Sequence, residues 1–496
     1  MKVDKPETVQ QYLKELKKTF YTRKTQKLEW RKKQLSQIVL GFKELESKMA
    51  AALKKDLGRE EFCSFFQETS SPIAKANDDI SMLDQYVKDD KRDTPLTIAP
   101  AKSRVIFQPL GAVCIMSAWN FPFITLFLPL ISAIAAGNCA LLKPSEMSPH
   151  CSAVCRELVE TYLDNDCIKI VEGGAEISIT CSQLKWDKIC FTGSSEKGKL
   201  VAQAAAKNLV PCLLELGGKS VSIVDESSDA SFAALKIASS RAANCGQICI
   251  SPDYVFVHES KKKEFLETAV KTFKECHGED PQKDEFYPRM VNEFHTERVL
   301  KMIKGHGGKI ILGGEGDIKD KYIAPTIIDE PSMDSDVMKE EIFGPVLPVV
   351  SFKDIQEVID HMNNNEKPLA MYYFGGVNGE NKTIFEREIQ SGMMAVNDCL
   401  IQAFNPKLPF GGIGYSGQGS YTGIDGFKNF SNSKAVVVKP QINIDSMNRL
   451  IMPPYSNMDK ATLKFLISKP LYQGQVQKFL MLLLLLIVVL AYFYAM

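Results

Sequence analysis

Two residues able to do covalent chemistry stand near one another in this sequence: a thiol at Cys249 and a carboxylate at Glu215. Cys249 lies in RAANCGQICISPDYV (Arg241–Val255), where a helix-like segment breaks at Gly246. A thiol exposed at such a turn, close to backbone N–H groups, can have its pKa lowered and react as a thiolate. A buried structural cysteine is the commoner use of this residue, so the thiol alone decides little. Glu215, in LLELGGKS, sits at a strand end before Gly217 and Gly218, where the backbone can turn tightly. A carboxylate placed there is a reasonable general base for water, and it is also an ordinary loop cap. A Cys–His hydrolase is the competing arrangement. His258 is the histidine near Cys249 in sequence, and its alternation with Val255 and Val257 reads as a plain strand residue.

A cofactor signal is present and subtler. Lys188–Gly198, KICFTGSSEKG, reads as a short apolar strand, a glycine turn and a helix start. It offers Gly193 and Gly198 without a GxGxxG. N–H groups and hydroxyls at a helix start can hold a pyrophosphate, although ordinary βα turns look alike. The thirteen cysteines include no CxxC pair, and no cluster of metal ligands stands out, so no metal site is expected. An odd number of unpatterned cysteines behind a charged N-terminus, with no signal peptide, reads as free thiols in a reducing compartment. Lys+Arg and Asp+Glu total 60 each. With no basic excess to neutralise phosphates, nucleic acid is not an expected partner.

The elements that must position these groups follow from hydrophobic period. At 496 residues the chain exceeds one core and implies two or three domains. Pro6 to about Leu57 is amphipathic and helical, and Pro95, Pro100 and alternating Val105–Phe107 lead into an extended hairpin. Strands are then expected at Val113–Met116, Cys139–Lys143, Ile168–Val171 and Lys188–Thr192, with helices at Pro149–Tyr162 and Glu196–Lys207 between them. A second stretch places strands near Ser220–Val224, Tyr254–His258, Lys309–Leu312 and Val346–Val350, with helices Ala230–Ala243 and Lys261–Glu275. Such alternation predicts α/β architecture with doubly wound parallel sheets.

Two apolar runs need separating. Phe479–Met496, FLMLLLLLIVVLAYFYAM, carries no charge, Gly or Pro, follows Lys478, and has Tyr492 and Tyr494 near its far end. It meets the length of a transmembrane helix and is uniformly apolar around its circumference, which predicts a C-terminal membrane anchor. The catalytic part would then lie on the cytosolic side. The lack of a basic residue after the span favours the endoplasmic reticulum. Phe121–Asn138 is nearly as apolar, but Pro122, Pro129, Thr125, Ser132 and a Gly137-Asn138 stop predict a buried helix instead.

Seven segments, in order, carry a resemblance: SAWNFP (Ser117–Pro122), LLKPSE (Leu141–Glu146), FTGSSEKG (Phe191–Gly198), LELGGKS (Leu214–Ser220), GQICISPDY (Gly246–Tyr254), EEIFGPVLP (Glu340–Pro348) and LPFGGIGYSG (Leu408–Gly417). Together they resemble the aldehyde dehydrogenase superfamily over Glu15–Pro454, and class 3 and fatty aldehyde dehydrogenase most closely. The resemblance implies a Rossmann-type cofactor domain, an α/β catalytic domain and a small bridging β-hairpin. Residues 1–88 and 108–216 would be the NAD(P)-binding domain and 217–400 the catalytic domain. Residues 89–107 and 401–440 would be the bridging and oligomerisation segment. Residues 441–478 would connect to the anchor as a candidate substrate gate.

By the same resemblance Cys249 is the nucleophile, Asn120 a donor to the developing oxyanion, and Glu215 the base that activates water. Glu341 and Phe343 would hold the nicotinamide ribose, Lys143 and Glu146 the adenosine ribose, and Gly193, Ser194 and Gly198 the pyrophosphate turn. NAD or NADP is implied as cofactor, an aldehyde as substrate and a homodimer as assembly. An anchored enzyme draws substrates that partition into lipid, which favours medium- to long-chain aliphatic aldehydes. Tyr415 and Thr422 depart from the residues common in class 3, Gln402-Ala403-Phe404 replaces a stretch that is often polar, and Cys245 is a second thiol spaced for a disulfide with Cys249. A catalytically silent membrane scaffold and a thiol esterase are the alternatives.

Overall fold

The computed structural model describes residues 3–441, 452–468 and 471–483. The chain folds as two units: Met1–Tyr86 with Pro109–Ser431, and Val87–Gln108 with Asn432–Met496.

In the larger unit, short apolar runs closed by Gly or Pro assemble into two sheets. The first has the order Gly417–Gln418, Cys212–Leu216, Lys188–Gly193, Ala112–Met116, Cys139–Lys143, Ile168–Ile170. Its strands are parallel except Gly417–Gln418, which runs antiparallel and pairs Gly417 with Glu215. The second has the order Lys309–Leu312, Thr326–Asp329, Val346–Phe352, Tyr254–His258, Val221–Val224, Ala370–Phe374, Met393–Val396, parallel apart from its first pair. Central strands in both are buried along their length, as strands covered by helices on both faces must be.

The expected strands at Cys139–Lys143, Tyr254–His258 and Lys309–Leu312 and the helix Pro149–Tyr162 form with those bounds. Phe121–Asn138 contains the buried helix Ile124–Ala136, stopped by Gly137 in the left-handed conformation (φ 92°), where only glycine turns without strain. Leu214–Ser220 is the link that leaves the first sheet and enters the second, so residues on it sit at the carboxyl edge of the first sheet and the amino edge of the second. Ligands bind at carboxyl strand ends in open parallel sheets.

The smaller unit carries a three-stranded sheet, Asp90–Arg92, Lys102–Pro109 and Ser431–Val438, in which the first two pair as an antiparallel hairpin. Leu96 N–H donates to the Leu471 carbonyl (2.8 Å) and Gln473 N–H to that of Thr94 (2.9 Å). Among the described residues no helix is long and apolar enough to cross a membrane. The expected anchor falls on 479–496, and residues 484–496 lie outside the described residues.

Candidate active site

Cys249 reaches its place through a turn that most residues would refuse. The helix Ala230–Ala242 ends, and Asn244 (φ 49°), Cys245 (φ 54°) and Gly246 (φ 69°) follow in left-handed conformation. Left-handed backbone disfavours residues with a Cβ, and Asn tolerates it best. At Gly246 a Cβ would also strike the Gly344 carbonyl, so glycine is required twice over. Gln247 then locks the turn: its amide donates to the Asn244 and Arg289 carbonyls (3.1 and 3.0 Å) and accepts from Val291 N–H (3.0 Å).

Asn120 is tied to the same turn. Its amide nitrogen donates to the Gln247 carbonyl (3.1 Å), and its own carbonyl accepts from Arg59 (2.8 Å) and Asn244 (3.2 Å). Arg59 and Glu68 form a fully buried ion pair (2.7 Å), and Glu68 also accepts from the N–H groups of Phe123 and Ile124. Asn120 and Cys249 are thus registered against each other through Arg59, Asn244 and Gln247.

Cys249, Glu215 and Asn120 face one cleft of about 1700 Å³. Lys143, Glu146, Gly193, Ser194, Glu341 and Phe343 also line it. Gly198 stands apart: it lies one turn inside the helix Ser195–Ala206, where a Cβ would meet Leu216 at 2.5 Å. Its smallness lets the helix pack on the strand that carries Glu215.

Burial pushes the Cys249 thiol well above its ordinary value, helped by the carboxylates of Glu341 and Glu215; the N–H groups of Cys249 and Ile250 act the other way and lose. The thiolate expected from the turn is therefore not the resting form. Burial alone raises Glu215 well above the usual carboxylate range, and neither of its oxygens has a hydrogen-bond partner among the described residues. Glu341 is pushed up to about 8, first by burial and then by Asp253, although the Gly218 N–H holds its carboxylate.

The cleft offers a dinucleotide suitable groups. Ser194 caps the helix Ser195–Ala206, accepting from Lys197 N–H (3.4 Å), and leaves a helix N-terminus open to an anion. Lys143 Nζ meets Glu146 at 2.5 Å, a donor–acceptor pair matched to sugar hydroxyls. Gly217 passes so close to Glu341 that a Cβ there would collide with its carboxylate. Trp119 stacks edge-on against Phe343 (5.3 Å) and near His295 (5.5 Å). Among the described residues no group of three His, Cys, Asp or Glu is placed to hold a metal.

The Aldehyde dehydrogenase family model matches residues 2–436. The chain belongs to that family. It is an NAD(P)-using oxidoreductase that oxidises aldehydes to acids. It is 37% identical to the 4,4'-diaponeurosporen-aldehyde dehydrogenase of Staphylococcus aureus, over 91% of this chain and 98% of that one. It is 36% identical to aldehyde dehydrogenase family 3 member A2 of Rattus norvegicus, over 94% and 96%. A solved structure of a substrate-bound Staphylococcus aureus AldH superposes with a TM-score of 0.88 at 36% identity, over 92% and 99%.

Several residues of the enzyme's cleft carry no signal in the sequence. Lys219 Nζ donates to Asp253 (2.6 Å) and to the Val337 and Glu340 carbonyls (2.7 and 3.0 Å). Asp253 also accepts from Arg241 (3.0 Å) and from Ile342 N–H (3.2 Å), while Arg298 donates to the Ile342 carbonyl (2.6 Å). These charges hold the loop that carries Glu341 and Phe343. The cationic residues and Asp253 are far apart in sequence, and only the motifs around Lys219 and Asp253 mark the place.

One expectation from spacing changes. The Cys245 thiol is fully buried against Tyr287 Oη (3.7 Å) and Met290 Sδ (3.9 Å), in a core on the opposite side from the one Cys249 packs against. A Cys245–Cys249 disulfide is therefore disfavoured. Thr422, which departs from the class 3 pattern, donates to the Leu408 carbonyl (2.5 Å) and accepts from Phe410 N–H (2.7 Å), closing the loop beside the cleft. His258 bonds Ser260 (2.8 Å) and is not among the lining residues.

Proposed function

We propose that the enzyme oxidises medium- to long-chain aliphatic aldehydes through covalent intermediates on Cys249, and that it works as a membrane-anchored homodimer. The observation that carries the substrate class is the cleft wall beyond Cys249, built from Phe66, Ile124, Leu128, Phe404 and Phe410. Lys236 and Asp398, the nearby charges, neutralise each other at 2.9 Å. Each CH₂ that such a wall covers contributes about 0.8 kcal/mol, so affinity grows with chain length.

The steps follow from groups already described. The Cys249 thiol releases its proton to solvent and the sulfur adds to the aldehyde carbon, forming C–S while the C=O electron pair moves to the oxygen, which becomes negative. Asn120 Nδ2, whose amide is held on the Gln247 carbonyl, and the Cys249 N–H would be the donors for that oxygen. Glu341, Lys143, Glu146 and the Ser194 turn would hold NAD(P)+, which would supply the hydride acceptor. Loss of hydride re-forms the carbonyl and leaves a thioester. Glu215, once ionised, takes a proton from water as the water oxygen attacks; C–S then breaks, releasing the acid and restoring the thiol. Burial of Glu215 suits a base that acts only after the cleft fills.

Residues 479–496, eighteen consecutive uncharged residues free of Gly and Pro, support the anchor. The decisive test is NAD(P)H formation from hexadecanal, octanal and benzaldehyde by the full-length protein and by Cys249→Ser, with NAD and NADP run separately. We expect hexadecanal to give the highest kcat/KM and the substitution to abolish reduction. Equal or better turnover of benzaldehyde would remove the long-chain assignment; undiminished turnover by the variant would remove the nucleophile. A scaffold would be inert with all three, and an esterase would work without NAD(P).

A further inference from the structure

The serine that ends LELGGKS has no role that the sequence reveals. Ser220 is fully buried, five residues after Glu215, at the entry to the second sheet. Its hydroxyl accepts from Ala370 N–H (3.2 Å) and donates to the carbonyl of Cys249 (3.3 Å). That carbonyl shares a peptide plane with the N–H of Ile250. In a trans peptide the two bonds point in opposite directions, so a group that fixes one fixes the other. The N–H groups of Ile250 and of Cys249 itself both favour the thiolate over the thiol. The Cys249 N–H belongs to the preceding plane, whose carbonyl, on Ile248, is held by Ser251 N–H (2.9 Å). The plane after Cys249 has no such backbone partner and takes a side chain instead. One residue on, Tyr372 Oη donates to the Ile250 carbonyl at 2.6 Å, and its hydrogen being so used, Gln402 must donate to it (3.0 Å).

From this we infer that Ser220 is a positioning residue for the nucleophile: by holding the Cys249 carbonyl it aims the Ile250 N–H at the sulfur and makes the thiolate accessible. One segment, Leu214–Ser220, thereby delivers both the base that completes the reaction and the hydroxyl that prepares its start. The inference rests on Cys249 being the nucleophile. The other ionisable groups facing the sulfur are Glu341 and Glu215, with the phenols of Tyr372 and Tyr421 close enough to feel its charge. The two carboxylates oppose ionisation, so the N–H groups supply the favourable contribution that a substitution can remove.

The test is the pH dependence of iodoacetamide alkylation at Cys249, followed by peptide mass spectrometry on the full-length, cofactor-free protein. In Ser220→Ala the midpoint should move up by about one pH unit, making alkylation below it roughly tenfold slower. Ser220→Thr keeps the hydroxyl and should return most of the shift. A purely structural serine would lower the melting temperature and leave the midpoint alone; superimposable profiles for Ser220→Ala and the parent overturn the inference. If Ser220→Ala does not fold, Ser220→Cys replaces it, being close in size and a weaker donor. It should give a smaller upward shift, and none would again overturn the inference. The Cys249→Ser activity assay separates the two failures: an active Cys249→Ser removes the nucleophile itself, whereas an inactive one with unshifted Ser220 profiles removes only the positioning role.

Discussion

Cys249 and Glu215 share a problem and solve it in the same way. Each is an acid in a cleft whose burial disfavours its charge, and the Glu215 carboxylate further raises the proton affinity of the Cys249 thiol. Raised proton affinity in both groups keeps them from being charged together, and each can ionise in its own step. Glu215→Gln should therefore complete the first half of the reaction and stall in the second. Rapid mixing with aldehyde and NAD(P)+ should give a burst of about one NAD(P)H per site followed by little turnover. Steady turnover at the parent rate would assign water activation elsewhere. Glu341 makes a different, thermodynamic prediction. Its carboxyl titrates near 8 when folded, against an ordinary value of 4.5. Between those values the folded state holds the proton that the unfolded state has lost, so stability falls as pH rises through that window and then levels. The melting temperature of the cofactor-free parent should drop relative to Glu341→Gln from about pH 5 to about pH 8. A difference that ignores pH would show that Glu341 is ionised throughout.

Elements set how much of this could be foreseen. Strands with clear punctuation, such as Cys139–Lys143 and Tyr254–His258, were readable because apolar runs of strand length stand between turn residues. Thr326–Asp329, Ala370–Phe374 and Met393–Val396 were not, since AMYYF and MMAV have no alternation and reveal themselves only beside their neighbours in the sheet. The site divides in the same manner. Asn120, Glu215, Cys249 and Glu341 came from motif resemblance, Gly198 packs closely on Leu216, and Ser220, Tyr372 and Arg59 act through partners 29 or more residues away in sequence. Period and spacing carry no record of such pairings. The buried Arg59–Glu68 pair, nine residues apart, makes the most exacting contact, because it ties Asn120 to the helix that follows it. Removing one partner of a buried ion pair costs about 3–5 kcal/mol. Arg59→Ala should therefore unfold at markedly lower urea concentration, and what remains folded should lose kcat more than it gains KM. A cost below about 1 kcal/mol in denaturant melts would mean that Glu68 takes up a proton and needs no partner.

At the scale of the whole molecule, catalysis and attachment are written in separate stretches of chain. The described cleft is built entirely within the larger unit, and the proposed anchor begins at residue 479. A protein ending at Lys478 should keep its activity toward octanal, leave the membrane fraction in flotation, and lose rate with hexadecanal presented in vesicles. Flotation unchanged by the truncation would place the membrane contact in another part of the chain. Zero net charge fits this division, since no basic surface is needed to hold the protein at a lipid headgroup.

Gly217 shows what this arrangement permits over evolutionary time. A single added methyl there would displace Glu341, and one at Gly246 would meet Gly344. Phe66 and Phe404, by contrast, are half exposed and lie against each other, with ring centroids 5.2 Å apart. Variation is closed off where cofactor and nucleophile meet and left open at the rim. Descendants of such a chain can exchange one aldehyde for another by drift at a few aromatic positions, while the oxidation itself is inherited unchanged.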